Sequence, residues 1–151
     1  GKYYRDADGS EIKGLGLFDY YTVAPASRRK RCIGNIVIET QKTGVPVKVV
    51  GFENHGGQTM GVKSPFGKVL CGNGNCSKSE NEGYCEKNVI ATYLHGPLLA
   101  KNPEISDHII GYCMQRKLNA GGSAEKYELP KLDDTLEIKC RSVMLERLLK
   151  K

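Results

Sequence analysis

The sequence lacks tryptophan, has only three phenylalanines among 151 residues, and nowhere interleaves aromatic with basic side chains. Single strands of nucleic acid need such interleaving for base stacking along a charged groove, so this class of ligand is not expected. No apolar run approaches the ~20 residues of a membrane span. The longest, Gly14–Phe18 and Val47–Phe52, are strand-sized. Mean hydropathy is −0.44, and no repeat, low-complexity stretch or sustained heptad pattern is present. Membrane insertion, collagen, coiled coil and a long disordered tail are therefore excluded. The first residues, Gly1-Lys2-Tyr3-Tyr4-Arg5, hold neither a methionine nor an apolar h-region. The chain is expected to begin partway through a longer protein and to carry no secretory signal.

CxxC pairs are also missing. Cys71, Cys76 and Cys85 stand at x4 and x8 spacings, which fit no structural zinc pattern, and no metal is expected. Six cysteines in a chain of 151 residues are read as reduced thiols rather than a secreted disulfide framework, with Cys32 and Cys113 at core positions. That usage points to the cytoplasm.

What is present is a basic excess and a division along the chain. The net charge is +6, concentrated in Arg28-Arg29-Lys30-Arg31 with a smaller share at Lys150-Lys151; it suits acidic or phosphorylated partners or a solvated loop. The first 100 or so residues are glycine-rich and strand-like, the remainder helical. Strands are predicted over Leu15–Val23, Cys32–Thr40, Val47–His55 and Phe66–Cys71. The turn composition of Gln41–Pro46 joins the second and third of these as an antiparallel hairpin. Gly72–Asn75 is a loop, and Ser77–Glu86 is polar and expected to be exposed. Asn88–Leu94 is continuously apolar, as in a strand buried on both faces of a parallel sheet. Asn102-Pro103-Glu104 opens a helix with an N-cap, a first-turn proline and an acid at the positive dipole end. That helix is expected to bury Ile105, Ile109, Tyr112, Cys113 and Met114 and to end near Lys117. After the linker Asn119–Ser123, a further helix from about Asp133 carries Leu136, Cys140, Val143, Met144 and Leu148 at helical spacing.

Three places can carry chemistry. His95, followed by Gly96-Pro97, stands at the end of an apolar strand, where ligands sit in open α/β sheets and where a histidine can serve as general base or merely bond a loop. Gly51–Thr59 (GFENHGGQT) crowds Glu53, Asn54 and His55 onto a glycine-rich turn, either a binding edge or an ordinary turn. Arg31 can clamp a carboxylate with its fork or remain solvated.

These segments occur in one order: Gly14–Thr22 (GLGLFDYYT), Arg31–Ile36 (RCIGNI), Gly51–Thr59, Gly72–Asn75 (GNGN) and Tyr93–Pro97 (YLHGP). From about Gly1 to Lys117 the succession resembles the class I glutamine amidotransferases of the cobyric-acid-synthase (CobB/CobQ) type, above all glutaminase subunits of peptidoglycan-amidating complexes. The resemblance implies a flavodoxin-like α/β domain with a mixed sheet and C-terminal helices, of which residues 1–151 form the C-terminal portion as one domain. It implies glutamine as substrate and a cysteine on a strand-to-helix elbow as nucleophile. His95 would be the catalytic histidine and Arg31 the anchor of the glutamine carboxylate, with Arg28 as a lesser substitute. No cofactor is implied. Ammonia would pass to an ATP-dependent, MurT-like (Mur-ligase-like) synthetase subunit that amidates D-glutamate of lipid II. The chain departs from the pattern twice. None of its six cysteines has the elbow setting, so the nucleophile is expected upstream and the chain alone inactive. Pro97 stands where many class I enzymes carry a glutamate that orients the histidine, leaving that role to Glu53, to the partner or to no residue. Corrin-ring amidation and a non-catalytic scaffold remain the alternative functions.

Overall fold

A computed structural model describes residues 1–25, 27, 31–43 and 47–150. The expectations placed on Arg28, Arg29 and Lys30, on Gly44–Pro46 of the turn and on Lys151 lie outside these residues.

The centre of the fold is the predicted hairpin. Strands β4 (Cys32–Thr40) and β5 (Val47–His55) have the expected bounds and pair antiparallel from Cys32↔His55 to Thr40↔Val47. Their β-branched residues favour this pleat, and Ile36, Val37, Ile38, Val49 and Val50 are completely buried, each contributing about 1.5–3 kcal/mol by leaving water. With β7 (Gly67–Cys71), β8 (Asn81–Glu82) and β11 (Leu94–His95) they form a five-stranded sheet in the order β11-β5-β4-β7-β8. Ile36, Ile38, Val47 and Val49 share a core with Phe66, Cys85, Leu94 and Ile105. Val37 and Val50, paired in register, lie out of phase with that set on the other face.

A second sheet, β2-β1-β3-β6, comprises β1 (Tyr3–Arg5), β2 (Glu11–Lys13), β3 (Tyr21–Val23) and β6 (Gln58–Met60). Its β1–β3 pair is parallel; the other ladders of the three sheets are antiparallel. The strand predicted over Leu15–Val23 is thus reduced to its last three residues. Phe18 and Tyr20 pack on Tyr84 instead of entering a ladder, Asp19 turns to Lys2 and Lys63, and Leu15 and Leu17 stay exposed.

Two further expectations fail in the middle of the chain. Ser77–Glu86 is not an exposed polar stretch: Glu82, Tyr84 and Cys85 are buried, the last two in β9 (Tyr84–Glu86), which pairs antiparallel with β10 (Val89–Ala91). Asn88–Leu94 is not one buried parallel strand. It splits into β10 and β11, broken at Thr92-Tyr93, where Glu82 accepts the Tyr93 N–H and the Thr92 hydroxyl.

The helices are α1 (Leu98–Lys101), α2 (Pro103–Ala120) and α3 (Thr135–Leu149). Asn102 precedes α2 as expected, yet its side chain does not cap the helix. Its amide is fully buried, accepts the Val50 N–H at 2.9 Å and donates to the carbonyls of Val50 at 2.9 Å and Leu98 at 2.6 Å. Asn102 therefore continues the edge pairing of β5 beyond the two residues that β11 covers. Ile105 is buried and Ile109 packs on the core, whereas Tyr112 and Cys113 are exposed, contrary to expectation. The α3 stripe is also displaced: Leu136, Cys140 and Val143 are exposed, and Arg141, Met144, Leu145 and Leu148 are partly covered. Arg141 forks onto the Glu104 carboxylate, and it lies on the stripe i, i+3, i+4, i+7 with Met144, Leu145 and Leu148 that faces inward.

Candidate active site

His95 owes its position to alternation along a two-residue strand. Leu94 pairs with Glu53 and His95 with Phe52, so the two side chains of β11 leave opposite faces. Leu94 is buried against Gly51, where an added Cβ would lie 2.8 Å from Leu94 Cγ. His95 is exposed on the other face. Gly96, at φ +53°, takes the left-handed conformation that turns the chain away directly after the imidazole.

Asn54 lies two residues beyond Phe52, so it shares the face of His95 about 7 Å along the strand. Arg31 Nη2 donates to Asn54 Oδ1 at 3.0 Å. His95, Phe52, Asn54 and Arg31 thus meet at one end of one sheet face. Ile33, opposite Asn54, is 57% exposed there. Among the described residues no carboxylate pairs with Arg31 and no side chain bonds His95, so the guanidinium is open to an anion and the imidazole has no competing side-chain partner. Cys71, Cys76 and Cys85 belong to no group that could hold a metal ion among the described residues.

Glu53 does not orient His95. Its carboxylate leaves the opposite face, fully buried, and accepts the N–H groups of Asn73 at 2.8 Å and Gly74 at 3.0 Å and the Asn73 amide at 2.8 Å. His55 Nε2 lies 3.9 Å from it. Burial alone would push Glu53 up, but His55 and the Gly74 and Asn73 donors outweigh it and hold the carboxyl below its ordinary value. His55, also buried, donates Nδ1–H to the Gly57 carbonyl at 2.8 Å and stacks on Tyr93 with ring centroids 3.7 Å apart. The glycine-rich turn is therefore the end of β5 and the start of β6.

Neither Glu82 nor Tyr93 was individually predictable as part of this network. For Glu82 the one available signal was the adjacent Tyr84-Cys85 pair, two residue types prone to burial. Burial pushes the Glu82 carboxyl up to about 7, against the pull of the Tyr93 N–H, the Thr92 hydroxyl and His55, with Glu53 adding to the rise. A raised carboxyl keeps its proton in the native state after the unfolded chain has released it. Stability should therefore fall as pH rises from about 4.5 to about 7. Urea unfolding at pH 5 and 7.5 should show Glu82→Gln gaining on the parent by about 2 kcal/mol more at the higher pH. An equal difference at both values would contradict this assignment.

Nucleophilic chemistry within the chain is disfavoured at the two buried thiols. Burial pushes Cys32 and Cys85 up, opposite to what a thiolate requires.

An exposed histidine released by a glycine turn, with an arginine just ahead of β4 that reaches Asn54 on the intervening strand β5, suits hydrolysis of a substrate that carries a carboxylate. The chain belongs to the family of CobB/CobQ-like glutamine amidotransferase domains, whose pattern it matches over residues 1–103. It is 40% identical over 147 residues to the GatD subunit of the glutamine-hydrolysing lipid II isoglutaminyl synthase of Staphylococcus aureus, covering 97% of this chain and 56% of that protein. With the corresponding GatD subunit of Streptococcus pneumoniae it shares 33% identity over 138 residues, 90% of this chain and 50% of the relative. A probable cobyric acid synthase of Methanococcus maripaludis is 30% identical over 126 residues, 78% of this chain and 24% of the relative. The chain spans about half the length of the two GatD relatives.

Proposed function

We propose that this chain is the C-terminal part of the single, flavodoxin-like glutaminase domain of a GatD-like subunit, acting in the cytoplasm on glutamine. The observation that carries the proposal is the convergence of His95 and Arg31 at the exposed end of one sheet face, in a chain of this family. Arg31 takes the α-carboxylate of glutamine. A cysteine thiolate from an upstream half of the domain attacks the side-chain amide carbon. The C–N bond breaks as the His95 imidazolium gives its proton to the departing ammonia, leaving a thioester. His95 then takes a proton from water, whose oxygen attacks the thioester. Glutamate leaves and the cysteine is restored. Ammonia passes to a MurT-like, ATP-dependent synthetase subunit that amidates D-glutamate of lipid II. Identity to the GatD subunits over nine-tenths of this chain or more, against 78% for the cobyric acid synthase relative, favours this acceptor over a corrin ring. The free state of all six cysteines supports the cytoplasmic assignment, and among the described residues no helix is long and apolar enough to cross a membrane.

The test is ammonia release from glutamine by the chain alone and by the chain joined to the upstream half. Only the joined protein should be active. In it Arg31→Ala should raise KM by about 10–100-fold, the loss of one charge-assisted carboxylate contact. Release by the chain alone would place the nucleophile among its own cysteines. An inert joined protein supplied with its synthetase partner would favour the scaffold function.

A further inference from the structure

His95 sits on a strand of two residues, and two ladder positions do not by themselves fix a side chain to the tolerance that proton transfer demands. The restraint comes from the residues just before it. Residues 92 and 93 connect β10 to β11, which lies at one edge of the five-stranded sheet, while β8 lies at the other edge. From β8 the fully buried Glu82 reaches this connector. It accepts the Tyr93 N–H at 2.7 Å and takes the Thr92 hydroxyl at 3.0 Å on each carboxylate oxygen. The Leu94 N–H in turn donates to the Thr92 hydroxyl at 3.0 Å. On the same connector the Tyr93 ring lies parallel to buried His55, and its hydroxyl bonds Thr59, which bonds Thr22, each at 2.8 Å.

We infer that Glu82, aided by the His55 stack on Tyr93, is a positioning residue of His95, fixing the connector so that the imidazole leaves the sheet at one place and angle; this rests on His95 being the proton shuttle. Three features favour positioning over general support. Among the described residues, the hydrogen bonds of the Glu82 side chain fall on Thr92 and Tyr93, three and two residues before His95. A buried carboxyl is costly to retain, and an apolar residue would fill the space without gripping the connector. The backbone of Glu82 is already held by its ladder with Gly67 and by the Phe66 N–H, so the side chain is not needed to keep β8 in the sheet.

The test has one arm that requires no catalysis. In the protein that holds this chain and its upstream half, ¹⁵N relaxation would be measured for the parent, Glu82→Ala and the milder Thr92→Val, which deletes only the bridging hydroxyl and serves if Glu82→Ala does not fold. Order parameters at Leu94 and His95 are expected to fall from about 0.85 toward 0.6 while those of Ile36 and Val49 hold. Unchanged values at Leu94 and His95 in folded variants overturn the inference. In the second arm, the protein with its upstream half is assayed with glutamine. Glu82→Ala should lower kcat about 10–100-fold with KM within about threefold, and Glu82→Gln, which can still accept the Tyr93 N–H, should recover most of the rate. A kcat within twofold of the parent for Glu82→Ala, or equal damage from Gln and Ala, overturns positioning. A parent that releases no ammonia overturns the function proposed above, and the relaxation arm then decides the inference alone.

Discussion

In a protein that holds this chain and the upstream half, His95→Ala is expected to lower kcat for glutamine hydrolysis about 10²–10⁴-fold, with KM within about threefold. The size follows from what a single general acid–base contributes when it both activates a nucleophile and protonates a leaving group. The separation of kcat from KM follows from the geometry. The proposed carboxylate anchor is Arg31, which Asn54 holds, and among the described residues His95 makes no bond to either. Stability should be nearly unchanged, because His95 is exposed and no described side chain bonds it, and such surface changes usually stay within about 0.5 kcal/mol. Steady-state ammonia release together with thermal unfolding checks both parts. A variant keeping more than a tenth of the parent kcat would remove His95 from the chemistry. A large fall in melting temperature would instead make the loss one of folding.

Asn102→Ala is the stability counterpart. Asn102 is fully buried, and its amide serves the Val50 N–H, the Val50 carbonyl and the Leu98 carbonyl. Alanine leaves all three backbone groups without their partner in a dry site, at about 1–3 kcal/mol for each group. A loss of about 3–5 kcal/mol is expected, which for a chain of this size lowers the melting temperature by roughly 10 °C or more. Urea unfolding should show a lower midpoint with an unchanged slope. A loss below about 1 kcal/mol would mean that water replaces the amide and that Asn102 does not hold the edge of β5.

The residue that carries this prediction also shows how far local pattern reaches. Asn102-Pro103-Glu104 marks a helix start correctly, because proline and an early acid suit the first turn whatever surrounds them. The capping role does not follow. An unpaired strand edge lies beside Asn102, and its amide satisfies more buried groups there than at the helix end. Cys32–Thr40 and Val47–His55 are legible to the residue, since two β-branched runs separated by a short glycine- and proline-containing segment permit few alternatives. Asn88–Leu94 has the same apolar look yet forms two short strands, because the carboxylate of Glu82 reaches in from another strand and bonds Thr92-Tyr93 between them. The displaced stripe of α3 likewise involves a partner distant in sequence, with Arg141 on its inward side paired to Glu104 of α2.

For the candidate site, the sequence by itself determined the participants and their order: Arg31 ahead of one strand, the GFENHGGQT segment ending the next, and His95 before Gly96-Pro97. It also determined the family, because these segments keep one succession along the chain. Only the tertiary structure decided which residues face one another. Strand register places His95 with Phe52 and Asn54 on one face and sends Glu53 and His55 to the other, and a shift of one residue would exchange the two sets. Periodicity gives the phase of each strand separately. The relative phase of neighbouring strands is set by long-range packing and buried hydrogen bonds, here those of Leu94 on Gly51, Asn102 on Val50 and Glu82 on Thr92-Tyr93.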